Sequence, residues 1–492
     1  MTSQLIVLDN KKCQFISDDP ALCKKLHKFL SYKQAGYEYT PAFRNSGWNG
    51  ITYLMNKSGI FSSGLHSKVR EFLLKEVLVL EEDDRRKLPV INQGIDLWAK
   101  LKILNMAPRY YQDDIVNICL NNRKGIVRAC TGSGKSLTTA LLAAKLNKPT
   151  IIYVIGLDLL QQFYDLYSSL FDEKIGFIGN GTCDIHRINI ASIWTISSAL
   201  KVKGPVSLEE DEKEIAPDQT QSEKIIDMLE KTKLHIFDES HVVTTETIKQ
   251  IYNKIDPEYI YGFSGTPFRD DGSDLLINSI LGDQIIDVPA SQLIADGYLA
   301  QPIIKFIKTP KTYIGTGTSS YQTVYKEYIT ENIIRNKLIV ENTKELLDKK
   351  YQVLVLFKHL QHGKNLKELF DLENINYEYL SGVDSLDDRN IVKENLLSHK
   401  SNLILASTIY DIGVDISSLS ALVLTGSGKS SVKSLQRVGR CLRIYPGKKH
   451  AAIVDFYDDV KYLKTHSKIR HKIYKSEDGF KLIVPKSIKD LK

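Results

Sequence analysis

The chain has 492 residues, 42% hydrophobic and 25% charged, which excludes disordered, collagen-like and mini-domain classes and allows about three domains. A net charge of +7 permits a polyanionic partner without demanding one, and six cysteines without a C-x-x-C pair read as reduced thiols rather than structural zinc or a disulfide framework. No apolar run approaches the roughly 18 residues that span a bilayer, and the start of the chain turns charged too early for a signal peptide, so a cytoplasmic protein with no membrane partner is expected.

Residues 1 to about 90 mix strand-like pieces at Leu5 to Leu8 and Ile51 to Leu54 with a helical stretch from His66 to Lys75. They end in Glu81-Glu82-Asp83-Asp84-Arg85-Arg86-Lys87, which reads as a solvated linker. From about 96 to 300, β-branched runs at Gly125 to Ala129, Ile151 to Ile155, Ile188 to Ala191, Leu234 to Phe237 and Tyr259 to Phe263 alternate with helical patterns. That rhythm implies β-α-β units around a buried parallel sheet. It restarts after Pro302 with Tyr351 to Phe357, Asn402 to Ala406, Ala421 to Thr425 and Ala451 to Phe456, so the fold class is α/β with two tandem domains, 96–300 and 301–492. Residues 208 to 224 are polar and read as a surface loop.

Ala129-Cys130-Thr131-Gly132-Ser133-Gly134-Lys135-Ser136 lies between a strand and a helix, the context of a phosphate-binding loop. Gly132 and Gly134 let backbone N–H groups curl around phosphate oxygens, Lys135 reaches the β and γ phosphates, and Ser136 can ligate Mg²⁺. A second string, Thr425 to Ser430, has Val423 where a small residue belongs and no acidic pair on a later strand, so it reads as a look-alike. Asp238 and Glu239 follow the strand Leu234 to Phe237, at the carboxyl end where ligands of parallel sheets gather. Asp238 can hold the Mg²⁺ shell while Glu239 activates water, a division that hydrolysis needs. Gln436, Arg440 and Arg443 share one face of an expected helix at spacings i, i+4 and i+7, and the guanidinium groups of the two arginines suit charge developing on a γ-phosphate.

Taken together, residues 105 to 460 resemble the superfamily 2 helicases and translocases of DExH type, with the family's motifs in the family's order. The resemblance implies two tandem RecA-like domains, use of ATP and Mg²⁺, and adenine reading by Pro108-Arg109-Tyr110-Tyr111-Gln112, with Gln112 the base contact and Arg109 its helper. It makes Ala129 to Ser136 motif I, with Thr131, Gly132, Ser133, Gly134, Lys135 and Ser136 around the nucleotide. Tyr153 to Gln162 is similar to motif Ia, although Ile155-Gly156 replaces the usual Pro-Thr. Asp238 to His241 is motif II; Ser264 and Thr266 of Phe263-Ser264-Gly265-Thr266-Pro267 would couple hydrolysis to strand movement, with His241. Phe357-Lys358-His359 falls where motif IV belongs. Thr408 would touch a phosphate of the tracked strand, Asp415 would face the nucleotide cleft, and Gln436 to Arg443 is motif VI.

Leu293 to Pro302 and the single Thr-Pro after Ser-Gly are similar to a branch holding repair translocases, restriction-enzyme motors and phage UvsW-type helicases. Tyr37 to Arg44, Gly47-Trp48-Asn49-Gly50 and Phe61 to Leu65 resemble the small N-terminal α/β DNA-binding domain of the UvsW-type branch-migration helicases, such as a T5-like phage would carry. Asn49 stands where that family commonly has Asp. The resemblance implies a DNA motor tracking single strand on branched or forked DNA, with Arg44 and Trp48 among the DNA contacts of residues 1–90. Eleven basic residues against six acidic ones in residues 1 to 78, an excess of +5, suit phosphate contact there. Lys461 to Lys475 holds six basic residues and no acid, a second candidate patch. Two rivals remain: a duplex translocase of repair or restriction type that does not separate strands, and a non-hydrolysing DNA clamp switched by nucleotide.

Overall fold

A computed structural model describes residues 3–485 apart from 35–36, 40, 78, 91, 203–213, 240–244, 266–273, 311–319, 382–383, 385, 408–417, 427 and 429–430. Two compact units divide the chain, the first built mainly from residues up to Asp287 and the second from Val288 onward. All six cysteines are free thiols. Among the described residues, no helix is long and apolar enough to cross a membrane.

The first unit begins with strands β1 (Ser3–Val7), β2 (Lys12–Ser17), β3 (Ser31–Lys33), β4 (Ile51–Tyr53), β5 (Ile60–Ser62) and β6 (Glu81–Asp84). A four-stranded sheet runs in the order β5-β2-β1-β6, and β3 pairs with β4 as a separate ribbon. Leu5, Phe15, Phe61, Leu26 and Leu73 bring one sheet face and two helices into a common core. Here the linker expected at Glu81 is corrected: Glu81 to Asp84 pair in parallel with Gln4 to Val7. All four side chains are exposed, Gln4 Nε2 donates to Glu81 at 2.6 Å, and Arg70, Arg85 and Arg86 neutralise the other three carboxylates. A charged edge of this kind also discourages further strand addition.

That layer is joined to the following sheet within the same unit. Lys11 Nζ donates to the carbonyls of Asn253 (3.3 Å) and Ile255 (2.9 Å), and Lys68 pairs with Asp283 at 3.2 Å. The second sheet holds β7 (Lys124–Ala129), β8 (Thr150–Val154), β9 (Ile175–Gly179), β10 (Thr182–Asp184), β11 (Ile188–Ser192), β12 (Leu234–Asp238), β13 (Tyr259–Ser264) and β14 (Gln284–Val288). Its order is β10-β9-β11-β8-β12-β13-β7-β14. Strands β8, β11, β12 and β13 are buried along their whole length, which explains their unbroken apolar runs. Because β13 lies between β12 and β7, the carboxyl ends of these three strands stand side by side. The surface loop expected at 208 to 224 is shorter: residues from Gln219 belong to the helix Gln219–Lys231, and Glu214 is buried, accepting from Ser192 Oγ at 2.6 Å and Thr195 Oγ1 at 2.9 Å. Two hydroxyl donors make that buried carboxylate tolerable.

The second unit is a seven-stranded sheet of β15 (Gln301–Lys308), β16 (Val353–Phe357), β17 (Glu378–Leu380), β18 (Leu403–Ser407), β19 (Ala421–Leu424), β20 (His450–Tyr457) and β21 (Lys481–Ile483), in the order β17-β18-β16-β19-β20-β15-β21. Val353, Val355, Leu403, Leu405, Ala421 and Val423 form the middle of its core. Two ion pairs lie beneath the sheet's carboxyl edge, Arg335 with Asp458 and Arg470 with Asp455, each at 2.9 Å. Arg470 therefore leaves the basic patch expected at Lys461 to Lys475, and Lys464 is held by Asp459 at 2.8 Å.

Candidate active site

Strand β7 ends at Ala129, and the chain turns through Gly132 (φ +86°) and Gly134 (φ +79°) into the helix Lys135–Leu146. Those backbone angles carry no steric penalty only in glycine. The Gly134 carbonyl accepts from Gln112 Nε2 at 3.0 Å and Thr138 Oγ1 at 3.1 Å, which fixes the loop to two helices. One turn further, Thr139 accepts from the Tyr167 hydroxyl at 3.0 Å. The open helix N-terminus with its N–H groups is an anion site.

Strand β12 delivers Asp238 and Glu239 beside this loop. Glu239 adopts φ +47°, a left-handed conformation rare for a side chain of its size and of the kind that persists where the surroundings enforce it. The turn aims its carboxylate at Lys135, whose Nζ lies 3.2 Å from Oε1 and 3.4 Å from the Ala129 carbonyl. From β13, the buried Ser264 hydroxyl donates to Glu239 Oε2 at 3.4 Å. Asp238 is 5% exposed, its Oδ1 has no hydrogen-bond partner among the described residues, and burial, then the charge of Glu239, raises its carboxyl to about 7. Thus Lys135, Asp238, Glu239 and Ser264 converge, with Ser136 in the first turn of the adjoining helix.

Supporting residues were missed by sequence reasoning. His235 lies within the apolar run of β12, fully buried, and its ring shares a 2.9 Å hydrogen bond with the Tyr153 hydroxyl. Tyr153 also stacks on Phe237 at 4.3 Å, and burial pushes His235 down to about 3, so the ring is neutral. This network stiffens the strand that presents Asp238. Its only signal is a histidine within an otherwise apolar run.

Gln112 is 2% exposed: Oε1 accepts from the Arg109 N–H at 2.8 Å while Nε2 reaches Gly134. It thereby latches the start of helix Tyr110–Asn121 to the phosphate loop, and the Arg109 guanidinium donates to the Tyr111 hydroxyl at 2.7 Å. In the second unit the helix Ser431–Arg440 carries Arg440, but the expected shared helical face is corrected, because Arg443 lies beyond the helix and bridges to Leu299. Cys441 and Leu442 tighten into i→i+3 bonds with Val438 and Gly439, and the Leu442 carbonyl is taken by the Ala300 N–H. Arg437 instead is the buried arginine of this segment. His241, Thr266, Thr408 and Asp415 fall outside the described residues, as does the side chain of Gln436. In the front region Arg44 is exposed, whereas Trp48 is partly buried and its indole N–H donates to the Ile51 carbonyl at 2.9 Å.

Residues 105–269 match the family model described as the res subunit of type III restriction enzymes, and residues 334–445 match the helicase conserved C-terminal domain. The chain is 27% identical over 482 residues to the ATP-dependent DNA helicase uvsW of Enterobacteria phage T4, covering 92% of this chain and 91% of that relative. It is 23% identical to the DNA 3'-5' translocase XPB2 of Sulfurisphaera tokodaii, over 76% of this chain and 85% of that one. The solved structure of Dbp5 from S. cerevisiae, bound to RNA and ADP BeF3, matches with a TM-score of 0.52 at 13% identity, over 80% of this chain and 94% of that chain; the likeness is one of fold. A phosphate loop after β7, an Asp-Glu pair at the end of β12 and two tandem RecA-like domains in matching sequence order lead to one assignment: the chain belongs to the superfamily 2 helicases and is an ATP hydrolase.

Proposed function

We propose that the chain is a DNA motor that tracks single strand and remodels branched DNA, moving forks and four-way junctions at the expense of ATP. The observation that carries this reading is that the similarity to the T4 helicase runs over 92% of the chain and so takes in the front region, which holds no ATPase motif. In this reading residues 1–90 grip the duplex arm through groups such as Arg44 and Trp48, while 96–300 and 301–492 form the ATPase.

Within the site, Lys135 neutralises the β and γ phosphates, the backbone of Thr131 to Gly134 cradles them, and Glu239 orients and deprotonates water. Arg109 and Gln112 serve the adenine, and Asp415 would serve the nucleotide. Gln436, Arg440 and Arg443 act on the γ-phosphate charge. Ser264, with His241 and Thr266, couples hydrolysis to movement, and Thr408 holds a strand phosphate. The buried Oδ1 of Asp238, which has no hydrogen-bond partner among the described residues, fits a divalent cation, and Mg²⁺ held there and by Ser136 would neutralise phosphate charge. Burial of an acidic oxygen without a donor is otherwise costly.

ATP hydrolysis measured with single strand, blunt duplex, fork, four-way junction and RNA tests the reading. Strongest stimulation by fork or junction, with junction migration on gels, is expected; equal stimulation by RNA would overturn it. A duplex translocase without strand separation is favoured by the restriction-subunit family match alone. It predicts triplex displacement by the chain without fork unwinding.

A further inference from the structure

Near the carboxyl edge of the second unit's sheet, aromatic rings from three elements gather. Tyr321 opens the helix Tyr321–Tyr325, and Tyr462 and His466 lie on the helix Lys461–Ser476. The Tyr321 ring stands 6.0 Å from Tyr462, nearly perpendicular at 79°, and 5.5 Å from His466. Tyr325, one turn on, is 5.9 Å from Tyr321 and 4.9 Å from His359, in the turn after β16. Tyr325 is the buried anchor, its hydroxyl donating to the Gly426 carbonyl at 3.4 Å, whereas Tyr462 keeps 40% of its surface exposed. Cations attend the rings: Lys461 Nζ lies 5.0 Å from the Tyr462 centroid and Lys358 Nζ 5.5 Å from that of Tyr325.

The acids nearby are mostly committed. Asp458 is buried against Arg335, Asp459 pairs with Lys464, and Glu331 pairs with Lys326, leaving Glu327 as an exposed carboxylate on this side. Lys461 itself sits at φ +33°, a strained backbone at the helix start. An exposed ring bordered by lysines suits a base stacked on the ring with its phosphates beside the ammonium groups, and every base offers such a face. A duplex presents no free base face, so the chemistry selects an unpaired strand.

We propose that Tyr462, set edge-on against Tyr321 with Lys461 beside its ring, is a stacking platform for a base of unpaired DNA. The proposal rests on DNA being the motor's track and adds a contact in the second unit. The rival is a packing rim for Val324, Tyr325, Tyr328, Ile329 and Leu463. The test uses the full chain and a fluorescein-labelled oligo-dT, the same backbone with abasic sites, and a blunt duplex, with melting temperature read on every variant. Tyr462→Ala should weaken oligo-dT binding about tenfold or more, the worth of one base on one ring. It should leave abasic-strand and duplex binding near the wild-type values, and Tyr462→Phe should restore the loss. Lys461→Gln should weaken oligo-dT and abasic strand alike. Unchanged oligo-dT affinity in Tyr462→Ala, or an equal loss on the abasic strand, overturns the platform while leaving the DNA reading intact. A wild-type chain that binds none of the three probes overturns both.

Discussion

Lys135 Nζ and Glu239 Oε1 lie 3.2 Å apart, both largely buried, so the group proposed to neutralise phosphate and the group proposed to activate water hold one another. In the proposed mechanism, phosphate oxygens take the place of Glu239 on Lys135. Glu239, released from the lysine, then keeps Ser264 as its hydrogen-bond donor.

Lys135→Ala should therefore abolish measurable ATP affinity, whereas Glu239→Gln should bind ATP at least as well as wild type and stop turnover. Fluorescent-nucleotide titration and phosphate release check the two separately. Wild-type hydrolysis by Glu239→Gln would remove this residue as the base.

For the arginines, Arg440→Ala and Arg443→Ala should each lower kcat, by as much as about 10³- to 10⁵-fold if the side chain acts as an arginine finger. Arg440 is set on a helix and Arg443 on a strand-like bridge, so the two are positioned independently and the double variant should not simply multiply if they serve one charge. By contrast Lys429→Ala should leave nucleotide affinity unchanged. The look-alike string opens with Thr425, whose hydroxyl donates to the Leu356 carbonyl at 2.8 Å, and with Gly426, whose carbonyl takes the Tyr325 hydroxyl, so its start serves the unit's own core. Lost ATP binding in that variant would revive it as a site.

The interior strands were legible because burial on both faces demands unbroken apolar runs, as in Val353 to Phe357. Edge strands escaped: Glu81 to Asp84 pairs with Gln4 to Val7 through its backbone and one Gln4–Glu81 side-chain hydrogen bond, and leaves no apolar trace. The chemical groups of the site were legible as residue types at fixed offsets from strand ends. Their mutual geometry was not, since it depends on the positive φ of Glu239 and on the adjacency of β7, β13 and β12, which no local pattern encodes. Arg443 shows the same limit, because the tie between Leu442 and Ala300 spans more than a hundred residues.

A pH dependence should come from the seam between the front layer and the larger sheet. Lys124 Nζ donates to the Tyr252 hydroxyl at 2.6 Å, and burial lowers its ammonium to about 7. Above pH 7 the folded chain has released a proton that the unfolded chain, with an ordinary lysine near 10.4, still binds. Stability should therefore rise from pH 7 to about 8.5, by at most about 1.4 kcal/mol per pH unit from this group. Higher still, Cys13, pushed by burial up to about 12, opposes the trend because the folded thiol keeps a proton that an unfolded one loses. Lys124→Met should flatten the rise in melting temperature over pH 7 to 8.5; a slope identical to wild type would place the dependence elsewhere.

The front region offers the sharpest separation of a DNA contact from a folding contact, because its two candidate residues stand differently. Arg44 is exposed on the short helix Pro41–Ser46, beside Phe43 and the Tyr37 ring that Lys33 overlies at 4.5 Å. Trp48 is partly buried, and its indole N–H fixes the start of β4. In the full chain, Arg44→Gln should weaken binding to a four-way junction and reduce the log–log salt slope by about 0.9, as expected for one phosphate contact. Trp48→Phe keeps an aromatic face but loses the donor, so its cost should appear as about 0.5–1.5 kcal/mol of stability and not as lost junction affinity at temperatures well below melting. Unchanged affinity and slope in Arg44→Gln would withdraw that residue from the interface. A Trp48→Phe chain that melts like wild type yet releases the junction would move the indole from the fold to the DNA.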